Sequence, residues 1–384
     1  MIAAELAALA VGALDVALVG SRTALALRYA ARYPTPREHD GEGVAILVAI
    51  LSGDPLLEPR LAKSLELLPR ARFHWLIDED DPEAQRITST LVAAHPSSRI
   101  TVEVHPPPPP GVNPKMLKLE RALPGVREPI VVILDDDTLL PGTSLGALVE
   151  GLSRATLTTG LPRYQDDGRF ASRLLSQFVN QNAAVTYLML PNFRAPITIN
   201  GMTWAMRTEE LRRLGGFTPI RGCLTDDLAI ARLVTESGGR IVQTPHLQHL
   251  ATSLEGIGHY FRLLHRWFLF VSLLLARQPL SISLFISTFF GLPPALLWAL
   301  FGLALFAPSP ITIGMLAGSL VVRWAATGML EVRIAKAPFL GRPLLGVLSE
   351  LLQPIHLLHA SLWRRIVWRK RRYRVHSDED FRPL

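Results

Sequence analysis

The stretch IVVILDDD, Ile130 to Asp137, decides the fold. An apolar run reads as a buried strand, and it ends in three consecutive carboxylates. Successive residues at a strand end point in opposite directions, so Asp135 and Asp137 face one side together. Two carboxylates sharing a site repel each other unless something positive lies between them. A divalent cation with oxygen ligands, Mg2+ or Mn2+, is the natural partner, and such an ion usually also holds substrate phosphates. The plain alternative is a solvated acidic turn. The end of a central strand favours a site.

Working outward from that strand, short apolar runs alternate with helical patterns. VAILVAIL (44–51) precedes a helix near 56–69, and FHWLID (73–78) precedes one near 82–94. RITVEV (99–104) precedes a helix near 114–123, and the 130–134 strand precedes one near 142–152. ITINGMTWAMR (197–207) reads as a later strand and LTDDLAIARLVTESG (224–238) as a helix. The alternation predicts an α/β domain with a doubly wound, mostly parallel sheet. In such sheets ligands bind at the carboxyl ends of the strands. A second acidic cluster, Asp78 to Asp81, ends the second strand. Pro106 to Pro110 reads as a stiff polyproline connector.

Outside residues 44–245 the chain turns apolar. Of its 384 residues 49% are hydrophobic and only 19% charged, against about 25% charged in ordinary soluble proteins. This excludes disorder, a coiled coil and an ordinary soluble enzyme. One cysteine, Cys223, excludes a disulfide framework and a Cys-based zinc cluster. Seven bases between residues 364 and 374 account for the net charge of +7. The basic pI therefore describes a tail, not a nucleic-acid-binding surface.

Residues 2–19 predict a membrane anchor, interrupted by Glu5 and Asp15. Arg22, Arg28, Arg32 and Arg37 follow it and place that side in the cytoplasm by the positive-inside rule. Residues 278–307 carry no charge, and a second apolar run reaches Leu330. With Pro308 and Pro310 between them, the two form a membrane hairpin, kinked at Pro293 and Pro294. Residues 343–363 hold Glu350, Gln353, Pro354 and two histidines, and read as an interfacial or re-entrant helix. A full span there would move the basic tail outside; as read, the tail is cytoplasmic, where it fixes topology or holds anionic lipid headgroups.

Three further motifs carry chemistry. Asn113-Pro114-Lys115 opens a helix, and Lys115 is one of only five lysines; a Lys at a helix N-terminus binds phosphate. Thr225-Asp226-Asp227 starts another helix, where one residue caps and another is free to act as a general base. Arg262 and Arg266 are four apart on one helix face, beside Trp267. Two arginines and an indole would neutralise a diphosphate leaving group; a membrane-interface helix has the same composition.

Together these residues resemble the inverting family 2/21-type nucleotide-sugar glycosyltransferases, above all the ceramide glucosyltransferase-like group with its bacterial hopanoid-associated relatives. The group's first Asp matches Asp80 or Asp81, its D-x-D matches Asp135 and Asp137, and its late acidic pair matches Asp226-Asp227. Gly111 to Lys115 is similar to its GxNPK segment, and Asn200-Gly201-Met202 through Gly215-Gly216-Phe217 to its GM…R…GG run. Trp368 to Arg374 looks like its C-terminal WR…RYR. Leu263 stands where the group has Gln or Arg three before Arg266; Arg262, one residue earlier, is the candidate replacement.

The resemblance implies a GT-A-like catalytic domain over 40–262. Around it lie an anchor over 1–27, an interfacial Arg-Trp helix over 263–277, a transmembrane hairpin over 278–332, and an interfacial helix with basic tail over 343–384. It implies a UDP-hexose donor, a lipid hydroxyl acceptor (a ceramide, hopanoid or glycerolipid) and a β-glycoside product. Asp227 would be the base; Asp135 and Asp137 would bind Mg2+ or Mn2+; Asp80, Asp81, Lys115, Asp226, Arg262, Arg266 and Trp267 would contact substrate. A processive polysaccharide synthase, a polyprenyl-phosphate glycosyltransferase and an inactive scaffold are the alternatives. Arg-rich, Lys-poor, Ala-rich usage points to a bacterial inner membrane.

Overall fold

The computed structural model describes residues 2–109, 111–339, 341–368 and 371–383. Pro110 of the polyproline connector and Arg369 and Lys370 of the basic tail lie outside the described residues. The chain forms two compact units, each built from three separate stretches. One comprises Tyr33–Gln165, Phe193–Ala251 and Tyr373–Leu384; the other comprises Met1–Arg32, Asp166–Asn192 and Thr252–Arg372.

The first unit is an eight-stranded mixed sheet with flanking helices. Its strands are β1 (Val44–Ala49), β2 (Arg72–Asp78), β3 (Arg99–His105), β4 (Ile130–Asp135), β5 (Thr138–Leu139), β6 (Leu157–Asp166), β7 (Thr203–Arg207) and β8 (Ile241–Thr252). Their order across the sheet is β3-β2-β1-β4-β7-β6-β8-β5. With helices numbered along the whole chain, those of this unit are α2 (Leu57–Leu67), α3 (Pro82–Ala94), α4 (Pro114–Ala122), α5 (Gly142–Gly151), α7 (Thr208–Arg213) and α8 (Asp226–Glu236).

Strands β1 to β4 pair in parallel. Both faces of β1 and β4 are buried: Ala45, Leu47, Val131 and Ile133 enter one core, and Val44, Ile46, Val48, Val132 and Leu134 the other. This is why the two strands read as unbroken apolar runs rather than alternating ones. From β7 onward the pairings turn antiparallel, with β7 against β4 and β6, and β5 against β8. The sequence reading covers the parallel half and places β7 too long. It misses β6 and β8 because each carries a proline, Pro162 and Pro245, and several polar residues. Proline lacks the ladder donor and demotes a strand in any sequence-based reading.

The second unit is helical. It contains α1 (Ile2–Ala30), α6 (Phe170–Met189), α9 (Ile257–Ala276), α10 (Leu280–Ile286), α11 (Leu292–Phe306), α12 (Pro310–Arg333) and α13 (Pro343–Leu362). Among the described residues three helical stretches are long and apolar enough to cross a membrane: Ile2–Ala30, Leu280–Phe306 and Pro310–Arg333. Helix α10 runs into α11 through one π-helical turn, Ser287–Gly291. Pro293 and Pro294 then occupy the first turn of α11, where a missing N–H costs least. Helix α12 begins with a capping box: the Ser309 hydroxyl accepts from Thr312 N–H at 3.2 Å, and the Thr312 hydroxyl accepts from Ser309 N–H at 2.9 Å.

The polar residues that interrupt these apolar helices find one another. Asp15 of α1 is fully buried and accepts from Arg323 of α12 with both carboxylate oxygens, and from Ser319 at 2.7 Å. Arg323 also donates from Nε to Glu350 of α13 at 3.0 Å and from Nη2 to the Pro293 carbonyl at 2.9 Å. Arg22 approaches the same glutamate at 3.7 Å. Two carboxylates and two guanidiniums thus meet inside the helical unit with balanced charge. A charge buried in a membrane-spanning bundle is expensive unless it is paired in this way.

Candidate active site

The site lies at the carboxyl end of β4. Residues 135 to 137 alternate half-exposed, buried, half-exposed, as the strand geometry predicts. Asp136 turns inward, and its carboxylate accepts from Leu51 N–H at 2.9 Å beyond the end of β1. Asp135 points to the other side, and Asp137 lies close enough to perturb its charge. Asp135 N–H donates to the Met202 carbonyl at 2.9 Å, which fixes the strand end against the Asn200-Gly201-Met202 loop.

Lys115 sits at the centre. Its ammonium lies 2.6 Å from Asp135 Oδ1 and 2.6 Å from Asp226 Oδ2, and 3.4 Å from the Gly201 carbonyl. The preceding residues explain that placement. Asn113 is fully buried and caps α4 through its carbonyl oxygen, which accepts from Lys115 N–H at 3.0 Å. Its amide nitrogen donates to the Cys223 carbonyl at 3.0 Å, and its backbone N–H donates to the Arg221 carbonyl at 2.8 Å. One asparagine therefore ties the start of α4 to the loop that leads into Asp226 and Asp227. Proline at the next position presets the helical turn.

Asp227 follows Asp226 in the first turn of α8 and accepts from Leu228 N–H at 2.9 Å. A Cβ on Gly201 would stand 3.0 Å from the Asp227 Cβ, so glycine is what allows the loop to pass this close.

Two carboxylates, Asp135 and Asp226, flank the ammonium, with Asp137 and Asp227 beside them, and the electrostatics follow. Burial raises the proton affinity of Asp227, the neighbouring Asp226 adds to it, and the result is pushed up to about 7. Burial likewise pushes Asp135 up to about 7; Lys115 opposes this, while Asp137 and Asp226 add to it. Burial disfavours the Lys115 ammonium, yet its two carboxylate partners hold its pKa above the usual lysine value. The pocket has more acid than base and favours a further positive charge. Among the described residues no three His, Cys, Asp or Glu are arranged to enclose a metal ion. Asp135 and Asp137 fit a hard cation that keeps most of its coordination for phosphate oxygens and water, the habit of Mg2+.

The two aspartates after β2 are not equivalent. Asp81 is buried; its carboxylate accepts from Ser52 N–H at 2.8 Å, from the Ser52 hydroxyl at 2.5 Å, and from Ala84 N–H at 3.1 Å as the cap of α3. Asp80 is exposed and holds no partner among the described residues. The sequence reading passed over Lys118, three residues and one helical turn past Lys115. It is buried, and its ammonium lies 3.1 Å from Asp78 and 3.3 Å from the Ile50 carbonyl. The rarity of lysine in this chain was the available signal.

Arg262, Arg266 and Trp267 lie on α9 of the helical unit. Arg262 is exposed, while Arg266 and Trp267 are half-buried. Trp267 stacks on Phe178 of α6 with centroids 6.4 Å apart. They belong to a different unit from the carboxylates.

Comparison with known proteins adds three findings. The model of glycosyl transferase family 21 matches residues 2–381. No curated protein matches the chain. Among solved structures, the chain is similar to a mannosyltransferase from Pyrobaculum calidifontis in complex with GDP-Man and Mn2+, at 18% identity and TM-score 0.50 over 92% of this chain and 98% of that one. It is also similar to GalNAc-T7 with UDP, GalNAc and Mn2+, at 11% identity and TM-score 0.42 over 64% of this chain and 54% of that one.

Proposed function

The chain belongs to glycosyl transferase family 21, and we propose that it moves a hexose from a UDP-sugar to the hydroxyl of a membrane lipid with inversion at the anomeric carbon. The observation that carries this reading is the half-buried Asp227, raised into the neutral range beside Asp226 and set against Gly201. A carboxylate of that kind is a general base for a neutral alcohol. A polyprenyl phosphate acceptor is already anionic and needs no such group.

The acceptor hydroxyl gives its proton to Asp227, and its oxygen forms a bond to the anomeric carbon. The bond from that carbon to the diphosphate breaks on the opposite face, and UDP departs with the electron pair. Asp226 keeps Lys115 close to Asp135, where the ammonium opposes the negative charge of the diphosphate. We assign the exposed Asp80 to the ribose or base, because the Asp81 carboxylate is already taken up by Ser52 and Ala84. Asp135 and Asp137 would hold Mg2+ or Mn2+, which when bound neutralises charge on the leaving diphosphate. The mannosyltransferase with GDP-Man and Mn2+ supports a nucleotide sugar and a metal together on this fold. The three apolar helices supply the means to keep the enzyme at a bilayer. Arg262, Arg266 and Trp267 are read as diphosphate and membrane-interface contacts, on the cytoplasmic side of a bacterial inner membrane.

UDP release by the detergent-purified protein tests the proposal. UDP-glucose, UDP-galactose and UDP-N-acetylglucosamine are supplied with Mg2+ or Mn2+, with and without extracted membrane lipid. Lipid-stimulated release that is lost in Asp227→Asn is the expected result. Release that persists in a folded Asp227→Asn protein overturns the base assignment.

A further inference from the structure

The start of α8 is held from a second direction, by a residue far along the chain. The strands Arg371–Val375 and Phe381–Pro383 pair antiparallel, with Tyr373 opposite Pro383 and Val375 opposite Phe381. Val375 is fully buried and Phe381 nearly so. The tip between the strands is a tight turn in which the Ser377 hydroxyl accepts from Asp380 N–H at 3.0 Å, and Asp380 O accepts from His376 N–H at 2.9 Å.

Asp378 projects from that tip and is 2% exposed. Its Oδ1 accepts from Thr225 N–H at 2.8 Å and from the Thr225 hydroxyl at 2.5 Å, and its backbone carbonyl accepts from Leu224 N–H at 2.8 Å. Next to it, Glu379 pairs with Arg232 of α8 at 2.9 Å. Thr225 occupies the N-cap position of α8 but gives that helix no side-chain cap. Its hydroxyl is engaged by Asp378 instead. The residue immediately before the Asp226-Asp227 pair is therefore set by a contact across 153 residues of sequence rather than by local capping. Asn113 grips residues 221, 223 and 224 from the Lys115 side, so the loop is clamped from two sides.

We propose that Asp378 is a positioning residue that fixes the Asp226-Asp227 pair against Lys115 and Gly201. The proposal rests on the reading of Asp227 as the base. Asp378 touches neither substrate nor metal; it acts through Thr225. A misplacement of about 1 Å at a reacting group costs on the order of 100-fold in rate. Asp378→Ala strands the Thr225 N–H and hydroxyl and is expected to lower kcat by about 10- to 100-fold, with KM for the sugar nucleotide within about twofold. Asp378→Asn keeps the Oδ1 acceptor and is expected to restore most of kcat. It also removes a negative charge that, like Asp226 on the same helix and against Lys115 on α4, raises the proton affinity of Asp227. The acid limb of the kcat profile in Asp378→Asn is expected to move to lower pH, which a purely structural role would not produce.

The measurement is UDP release with whichever of UDP-glucose, UDP-galactose or UDP-N-acetylglucosamine supports lipid-stimulated turnover, alongside amide hydrogen exchange over residues 221–230. Faster exchange in Asp378→Ala, with the kcat-only loss and the rescue by Asp378→Asn, supports the proposal. Normal kcat or unchanged exchange in Asp378→Ala overturns it. If Asp378→Ala fails to fold, the acid limb of Asp378→Asn decides, and an unmoved limb overturns the proposal. An active Asp227→Asn would instead locate the failure in the base assignment.

Discussion

Asp135 and Asp227 are the same residue type under similar burial, yet the proposed reaction gives them different duties because of what stands beside each. Asp135 has an ammonium and a second carboxylate on its own strand end, the arrangement proposed to receive a cation. Asp227 has a glycine wall and a helix N–H, an arrangement that leaves an oxygen for a proton. Removing that oxygen's basicity in Asp227→Asn is expected to lower kcat by about 10²- to 10⁴-fold, read by single-turnover kinetics. The pH dependence has a definite sign. A base works only when ionised, and Asp227 gains its proton at about 7. The kcat is therefore expected to fall as pH drops through neutrality and to level off above it. A flat profile down to pH 5 would show that no group of this kind limits the reaction. Gly201→Ala tests the wall, because its methyl must push against Asp227. A loss of about tenfold or more in kcat with little change in donor KM is expected from that displacement.

Elements legible in the sequence were those whose two faces meet the same environment. Strands β1 and β4 are apolar on both sides and end in Asp, so their pattern states both the strand and its functional end. Helix α6 gave no such signal, because Gln181 along it donates to the Gly346 carbonyl at the start of α13 and its polar face is an interior one. The carboxylates of the site announced themselves by spacing. Asp378 did not, since a single Asp in a polar turn acquires its meaning only when the hairpin reaches Thr225. Asp15 looked like a flaw in an anchor and is instead the bond between α1 and α12. Asp15→Ala leaves Arg323 and Arg22 to share the one carboxylate of Glu350 and is expected to destabilise the helical unit by about 3–5 kcal/mol, measured as a lower Tm in detergent. Pairing it with Arg323→Met should restore much of that loss. A double variant no better than the single one would show that the contact contributes packing rather than charge balance.

Across the whole molecule the two units are threaded through each other in sequence, each from three stretches. Removing chelatable metal with EDTA is expected to abolish UDP release while leaving both units folded by circular dichroism, with Mg2+ or Mn2+ restoring it. Loss of secondary structure on chelation would contradict a metal held mainly by substrate. A fragment ending near residue 251 lacks the Tyr373–Leu384 stretch of the sheet unit and is expected to aggregate, as size-exclusion chromatography would reveal. The same threading has a consequence for how the protein is born on the ribosome. The turn carrying Asp378 emerges only after all three apolar helices have been synthesised. The clamp on the Asp226-Asp227 loop therefore closes only after those helices have left the ribosome. Until then the loop is held from the Asn113 side alone.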